Sequence, residues 1–309
     1  MIFETSTRAL KSIGLSAADI DAFVLGGNDQ IDGRVISIMP SAGPAGGVNH
    51  DTTMIASSGA HALIYAYLRI MAGQSKRVLV ASWAKPSESV DPDRAELMSA
   101  EPYLLRTVGM NETIAAALQA SRFLNGKEVT ASEAFVAWPL TKKELPGRGD
   151  SVHVVILAQE GLFNDGSQMA WIVDAGWATS SYELGARDLA DQESLQIACN
   201  QITKRNSEAA PKNWNAVEVG AASEYAVNAV KEQLPLKVGV SVNASGSLAD
   251  QMTSPFVLGL SRMVRAIEVT ENEKNSKEQF LAAGIGFNGF AGQSASVMVF
   301  SNTKDVHSG

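Results

Sequence analysis

The feature that most restricts this chain of 309 residues is that its order of elements occurs twice. In the first half, DIDAFVLGG reads as a strand entered through an Asp turn and TTMI as a second strand. The amphipathic helix ASSGAHALIYAYLRIMAGQ follows, closed by Gly73, and then the strands KRVLVASW and, after a helical region, SVHVVILAQ. The second half opens on the strand WIVDAG and the helix ESLQIACNQITKR. It then repeats the series with NAVEVGAAS, KVGVSVNASG, the helix SPFVLGLSRMVRAIEV, QFLAAGIGFN and SASVMVFS. Such self-similarity predicts a duplicated α/β unit, 1–166 and 167–309, joined through the polar stretch FNDGSQ.

Each long helix carries apolar residues on more than one face: Ala60, Leu63, Ile64, Tyr67 and Met71 in one, Val257, Leu260, Val264 and Ile267 in the other. Helices of that kind lie buried between layers. The runs RVLVA and HVVILA are continuously apolar, as in strands covered on both faces. The expected architecture is therefore two βαβαβ-type halves in an α/β/α/β/α stack around buried central helices.

Composition removes several classes of function. Hydrophobic residues make up 45% of the chain, enough for a large core, and 33 acidic against 25 basic residues leave a net charge of −8. No basic run with interleaved aromatics follows a phosphate backbone, which argues against nucleic acid. MIFETSTRAL lacks a secretory pattern, and no apolar run approaches the roughly 20 residues that span a bilayer. A cytoplasmic protein without membrane contact is expected. The single cysteine, Cys199, allows no internal disulfide and reads as core packing. His50, His61, His153 and His307 form no metal spacing. GIGFNG fits G-x-G-x-x-G, but a strand follows it, so no helix N-terminus faces a pyrophosphate. GRGDS and the N-x-S/T matches at Asn111 and Asn243 carry little meaning in a cytoplasmic chain.

The stretches SIGLSAADIDAFVLGG, IASSGAHALIYAYLRIMAGQSKRVLVASWAKPSE, PLTKKELPGRGDSVHVVILAQE, NAVEVGAASEY, VNASGS and GIGFNGFAGQSASVMVF cover nearly the whole chain in order. Together they resemble the thiolase superfamily, in particular the sterol-carrier-protein-type thiolases and their lipid-transfer relatives. That resemblance implies Claisen chemistry on acyl-CoA by a cysteine thiolate at a buried helix N-terminus, where peptide dipoles lower the thiol pKa. Carried over by position, the nucleophile falls on Ala56. The histidine-bearing loop becomes VEVGAASEY with Gly220, the general-base position falls on Thr253, and the closing loop from Gly284 to Ser296, Asn288 included, offers neither Cys nor His. A degenerate member without its reagents is the implied reading, with no catalytic residue expected.

The resemblance also implies a strand ahead of the first helix, whereas this chain opens within that helix at Ile2 or Phe3. The first sheet is then rearranged or completed by something else. The loop region that covers CoA in active members reads as shortened between Phe135 and Gly149. For unconventional chemistry the reserve is Ser57, Ser58, His61, Glu218, Glu224, Tyr225 and Asp250, the acidic and tyrosine members being placed on loops around the site. Their ordinary roles are helix capping for the serines, core hydrogen bonding for His61, and surface or structural roles for the others. Relatives that cleave carbon–carbon bonds rely on tyrosine hydroxyls near the glycine loop, where this chain has Phe287 and Phe290.

The expected function is a non-catalytic thiolase-like pseudoenzyme subunit. It would pair with an active thiolase-type subunit in an acyl-CoA condensing or cleaving complex, and a zinc-ribbon/OB-fold protein is a third component in this branch. The alternatives are an enzyme of altered chemistry on acyl-CoA, by retro-aldol cleavage or acyl transfer, and an acyl-CoA or lipid binder. No covalently bound cofactor is expected, a CoA thioester is the substrate of the complex, and a homodimer is the remaining assembly.

Overall fold

Period-two alternation along each strand decides which helices it meets. A computed structural model describes residues 1–29, 38–56, 58–89, 91–125, 149–163, 169–248 and 254–304. Its first half runs α1 (Ile2–Ser12), β1 (Ala22–Gly27), α2 (Ile38–Ala45), β2 (Asp51–Ala56), α3 (Gly59–Met71), β3 (Arg77–Ala84), α4 (Pro92–Met98), α5 (Glu112–Asn125) and β4 (Ser151–Ala158). The second runs β5 (Trp171–Thr179), α6 (Glu193–Arg205), β6 (Ala216–Gly220), α7 (Glu224–Gln233), β7 (Ser241–Val242), α8 (Pro255–Asn272), β8 (Leu281–Asn288) and β9 (Ser294–Ser301).

Two sheets result, ordered β2-β1-β3-β4 and β5-β9-β8-β6-β7. In the first, β1 is parallel to β2 and β3, and β4 returns antiparallel. In the second, β6 is parallel to β7 and β8, while β9 is antiparallel to both β8 and β5. Val24, Val78 and Val80 point inward from the first sheet, and Met298 and Phe300 from the second, onto Leu63 of α3 and Met263 of α8. Phe23, Leu25 and Leu79 point outward onto Leu10 of α1 and Ala45 of α2. Val217, Val297 and Val299 meet α6 and α7 on the far side. This is the expected five-layer stack.

The central helices approach unusually closely because glycine stands where they cross. A Cβ on Gly286 would lie 2.6 Å from the Ala60 Cβ and 2.8 Å from the Gly259 Cα, and one on Gly259 would lie 2.9 Å from the Ala60 Cβ. A Cβ on Gly59 would sit 2.5 Å from the Ser82 hydroxyl and 2.8 Å from the Leu260 Cβ. Backbone therefore packs against backbone at the N-terminal turns of α3 and α8.

Three expectations require correction and one is refined. KVGVSVNASG is not a full strand: only Ser241 and Val242 pair with β6, because Gly239 (φ +81°) and Asn243 (φ 52°) turn the chain on either side. Met71 is 66% exposed, since α3 reaches past the sheet at its C-terminal end. HVVILA has helices over both faces, α1 on one and α8 on the other, as expected, but no strand among the described residues flanks its outer edge, and its residues are half-buried apart from Leu157. GIGFNGFAGQSAS is not one loop, since β8 extends to Asn288 and β9 begins at Ser294. The boundary stretch 164–168 and nearly all of 135–149 lie outside the described residues.

Gly286→Ala should lower stability by about 1–3 kcal/mol, because neither backbone at the crossing can retreat. Gly43→Ala, whose added Cβ would meet only Val48 at 3.6 Å, should be neutral or slightly stabilising. Urea denaturation midpoints of the two variants make the comparison.

Candidate functional site

Parallel strands end together with the N-termini of the helices that follow them, so chemistry in α/β sheets gathers at that end. Here it holds the ends of β6 and β8 and the first turns of α3, α5 and α8. Ala56 closes β2, paired with Gly27, and presents an exposed methyl just ahead of α3. Its neighbour Ser57, together with Asp250 and Thr253, lies outside the described residues.

Ser58 caps α3 by accepting the His61 backbone N–H at 3.2 Å, a contact worth about 1 kcal/mol in typical helices. The same hydroxyl lies 2.9 Å from His61 Nδ1, so the structure supplies a ring nitrogen where sequence reading placed no base beside either serine. His61 Nε2 lies 3.2 Å from the Ser294 hydroxyl, which bonds the Ala178 carbonyl at 3.1 Å. A carbonyl only accepts, so Ser294 donates to it and receives the Nε2–H. Nδ1 is then the acceptor for the Ser58 hydroxyl. Burial lowers the His61 pKa and keeps the ring neutral, as this chain of bonds requires. His61 is thus a hydrogen-bonded core histidine that joins the two halves.

Glu218 is not on a loop. It lies in β6, 1% exposed, and accepts from Arg262 at 2.8 Å, from the Ser245 hydroxyl at 2.7 Å and from the Ser245 backbone at 3.2 Å. Arg262 also donates to the Gly246 and Ser247 carbonyls. This buried ion pair, in which both terminal guanidinium nitrogens are bonded and Nε is not, pins the Asn243–Ser247 turn to α8. Glu224 and Tyr225 likewise begin α7 and do not lie on a loop. Glu224 accepts the Leu248 N–H at 2.7 Å, and Tyr225 packs edge-on to Phe123 at 6.3 Å.

Gly220 lies where α8 comes nearest to β6. A Cβ there would stand 2.9 Å from the Leu258 carbonyl oxygen and 3.0 Å from the Gly259 nitrogen, so no side chain fits. Beside it lies a cavity of about 20 Å³ lined by Glu112, Gly220, Ala222, Leu258, Phe287 and Gly292, room for about one water. Glu112 was absent from the sequence reading. Burial, reinforced by the charge of Glu96, pushes its pKa up to about 8, so the carboxyl carries a proton at neutral pH. Nothing in NETIAAA separates it from an ordinary first-turn Glu. Asn288 ends β8 in register with Ser294.

The remaining histidines and the cysteine sit elsewhere. His50 packs its ring against Phe23 at 5.4 Å, and His307 lies outside the described residues. His153 on β4 has its pKa lowered to about 4 by burial and by Arg265, against the opposing pull of Glu268. Cys199 is buried in α6, which pushes its thiol up to about 12 and makes it a poor nucleophile. Among the described residues, no group of three His, Cys, Asp or Glu could hold a metal ion, and no helix is long and apolar enough to cross a membrane.

Arg262→Met leaves the Glu218 carboxylate buried without its cation and should cost about 3–5 kcal/mol, part of which Glu218→Gln in the same chain recovers. Paired denaturation curves measure both. For His153, the unfolded ring takes up a proton below about 6.5 that the folded ring refuses until about 4. Stability should therefore fall as the pH drops through that window, and His153→Gln should flatten the fall relative to the parent chain.

No protein-family model and no curated protein matches the sequence. Solved structures do match. Human mitochondrial 3-ketoacyl-CoA thiolase in complex with CoA superimposes with a TM-score of 0.68 at 14% identity, over 98% of this chain and 91% of that one. Acat5 thiolase from Ascaris suum in complex with coenzyme A gives a TM-score of 0.66 at 14% identity, over 97% and 92%. At that identity the likeness establishes architecture and not activity: this chain has the thiolase fold.

Proposed function

We propose that the protein is a non-catalytic thiolase-type subunit that pairs with an active partner of the same fold in a complex acting on acyl-CoA thioesters. The observation that carries this reading is the end of β2. A methyl group stands at Ala56, ahead of a helix whose first-turn N–H at His61 is already occupied by Ser58. Gly220 is closed to any side chain, and the adjoining cavity holds about one water, against the several hundred Å³ of a ligand pocket. The folded architecture supports pairing through the edge of β2 and the flank of α3, the region through which thiolase folds associate. A zinc-ribbon/OB-fold protein fits the same scheme as a third component.

A second reading draws on Glu112, which holds a transferable proton at neutral pH, and on Ser58, hydrogen-bonded to a neutral His61. Together they provide an acid and a base for retro-aldol or acyl-transfer chemistry.

Incubating the purified chain with acetyl-CoA and longer acyl-CoAs, then weighing it intact, should show no acyl adduct. Co-expression with a cysteine-bearing thiolase encoded beside it should give a stable heteromer in which only the partner becomes acylated. Turnover by the isolated chain that Glu112→Gln or Ser58→Ala abolishes would favour the second reading. A lone monomer without partner or turnover would overturn both.

A further inference from the structure

The two sheets provide an internal comparison, because β4 and β9 hold equivalent places as the antiparallel strand beside β3 and β8. In the second half, β5 runs antiparallel along the outer edge of β9 from Trp171 to Thr179, and every residue of β9 is buried. In the first half, no strand among the described residues takes the corresponding place beside β4. Its residues are half-buried apart from Leu157.

An open edge is a template for pairing, and natural sheets blunt theirs. β7 is two residues long. β5 carries a bulge between Ile172 and Asp174, with Asp174 held by Arg205. β2 presents Asp51, Thr52 and Thr53 at its start, with Asp51 paired to Arg69. By contrast, β4 (SVHVVILA) keeps one unbroken register with β3 over eight residue pairs and contains no acidic, lysine, arginine or proline residue.

The second half also states what such an edge accepts: an antiparallel strand of similar length, apolar on both faces because helices cover both. In the first half, α1 lies over one face of β4 and α8 over the other. Val152, Val154 and Ile156 serve the α1 side, and Val155 and Leu157 the α8 side. Among the described residues, one strand meets these conditions with its own edge free, and it is β4 itself. A two-fold axis brings two identical strands together antiparallel, the direction that β5 takes along β9.

We propose that β4 pairs with β4 of a second copy of this chain, joining two four-stranded sheets into one of eight strands. The surface lies at the opposite end of the sheet from the β2 edge invoked for a thiolase-type partner, so the two associations are independent and can coexist.

Sedimentation of the full purified chain over a wide dilution series, with hydrogen exchange read on the β4 amides, tests it. The expected result is a doubled mass that dissociates on dilution, with outward-facing β4 amides protected only in the dimer. Successive N–H groups along a strand face opposite sides, so of Val154→Pro and Val155→Pro one removes a bond to β3 and the other an outward donor. The first should fold poorly and the second should be a folded monomer. A chain that stays monomeric throughout overturns the proposal. So does a dimer whose β4 amides exchange freely, which puts the interface elsewhere, or β4 amides protected even in the monomer, which means that the chain covers its own edge.

Discussion

The close crossing of α3 and α8 is the constraint on which the rest of the molecule depends. Ala60, Gly259 and Gly286 meet at distances that leave no room for another methyl group. The two sheets can sandwich one layer of paired helices only because the Ala60 methyl packs directly against the bare backbones of Gly259 and Gly286 there. That contact fixes both helix N-termini at the same end of the molecule, beside the ends of β6 and β8. The location of the site is thus a consequence of packing, and it persists whatever side chains stand in it.

This separation of architecture from side chains lets the chain have the thiolase fold with alanine at the end of β2, just ahead of α3. A helix N-terminus favours negative charge through its unpaired N–H groups. In this chain Ser58 takes the His61 N–H, and the His61 ring is committed to Ser294 across the boundary between halves. Glu218, one of the reserve carboxylates named from the sequence, is paired with Arg262 and holds a turn. Glu112, whose carboxyl retains a proton at neutral pH, enters from α5, outside the duplicated framework.

Strand and helix identity was legible because alternation and helical spacing are local consequences of the layers they serve. Val24 against Phe23 and Leu25 is enough to give β1 two apolar faces, and Gly73 marks the end of α3. Exposure was less legible. HVVILA and RVLVA have the same apolar character, yet among the described residues β4 ends its sheet and β3 lies inside it, a difference set by chain pairing and not by composition. KVGV failed as a strand because the positive-φ Gly239 outweighs its two valines. The site was read least well, since Glu218 owes its burial to Arg262, forty-four positions away, and Glu112 owes its raised pKa to Glu96 and to the packing around α5. No window of sequence contains those relations.

The contrast between the two halves carries this reasoning to the outer strands. Duplication supplies the same demands twice, so each departure from equivalence marks a place where one half solves a problem differently. Gly26 and Gly220 both admit a central helix at close range, against Gly59 and Gly259 respectively, so the inner layer is held to one pattern in each half. The outer strands are not. Asp174 and Arg205 close the β5 edge with a buried carboxylate and a bulge, while β4, the last strand of its sheet among the described residues, carries mainly aliphatic side chains on both faces. An edge of that composition is stable in water only as far as its helices shield it, so the pressure to cover it rises with the length of unbroken register, and β4 has eight residue pairs of it.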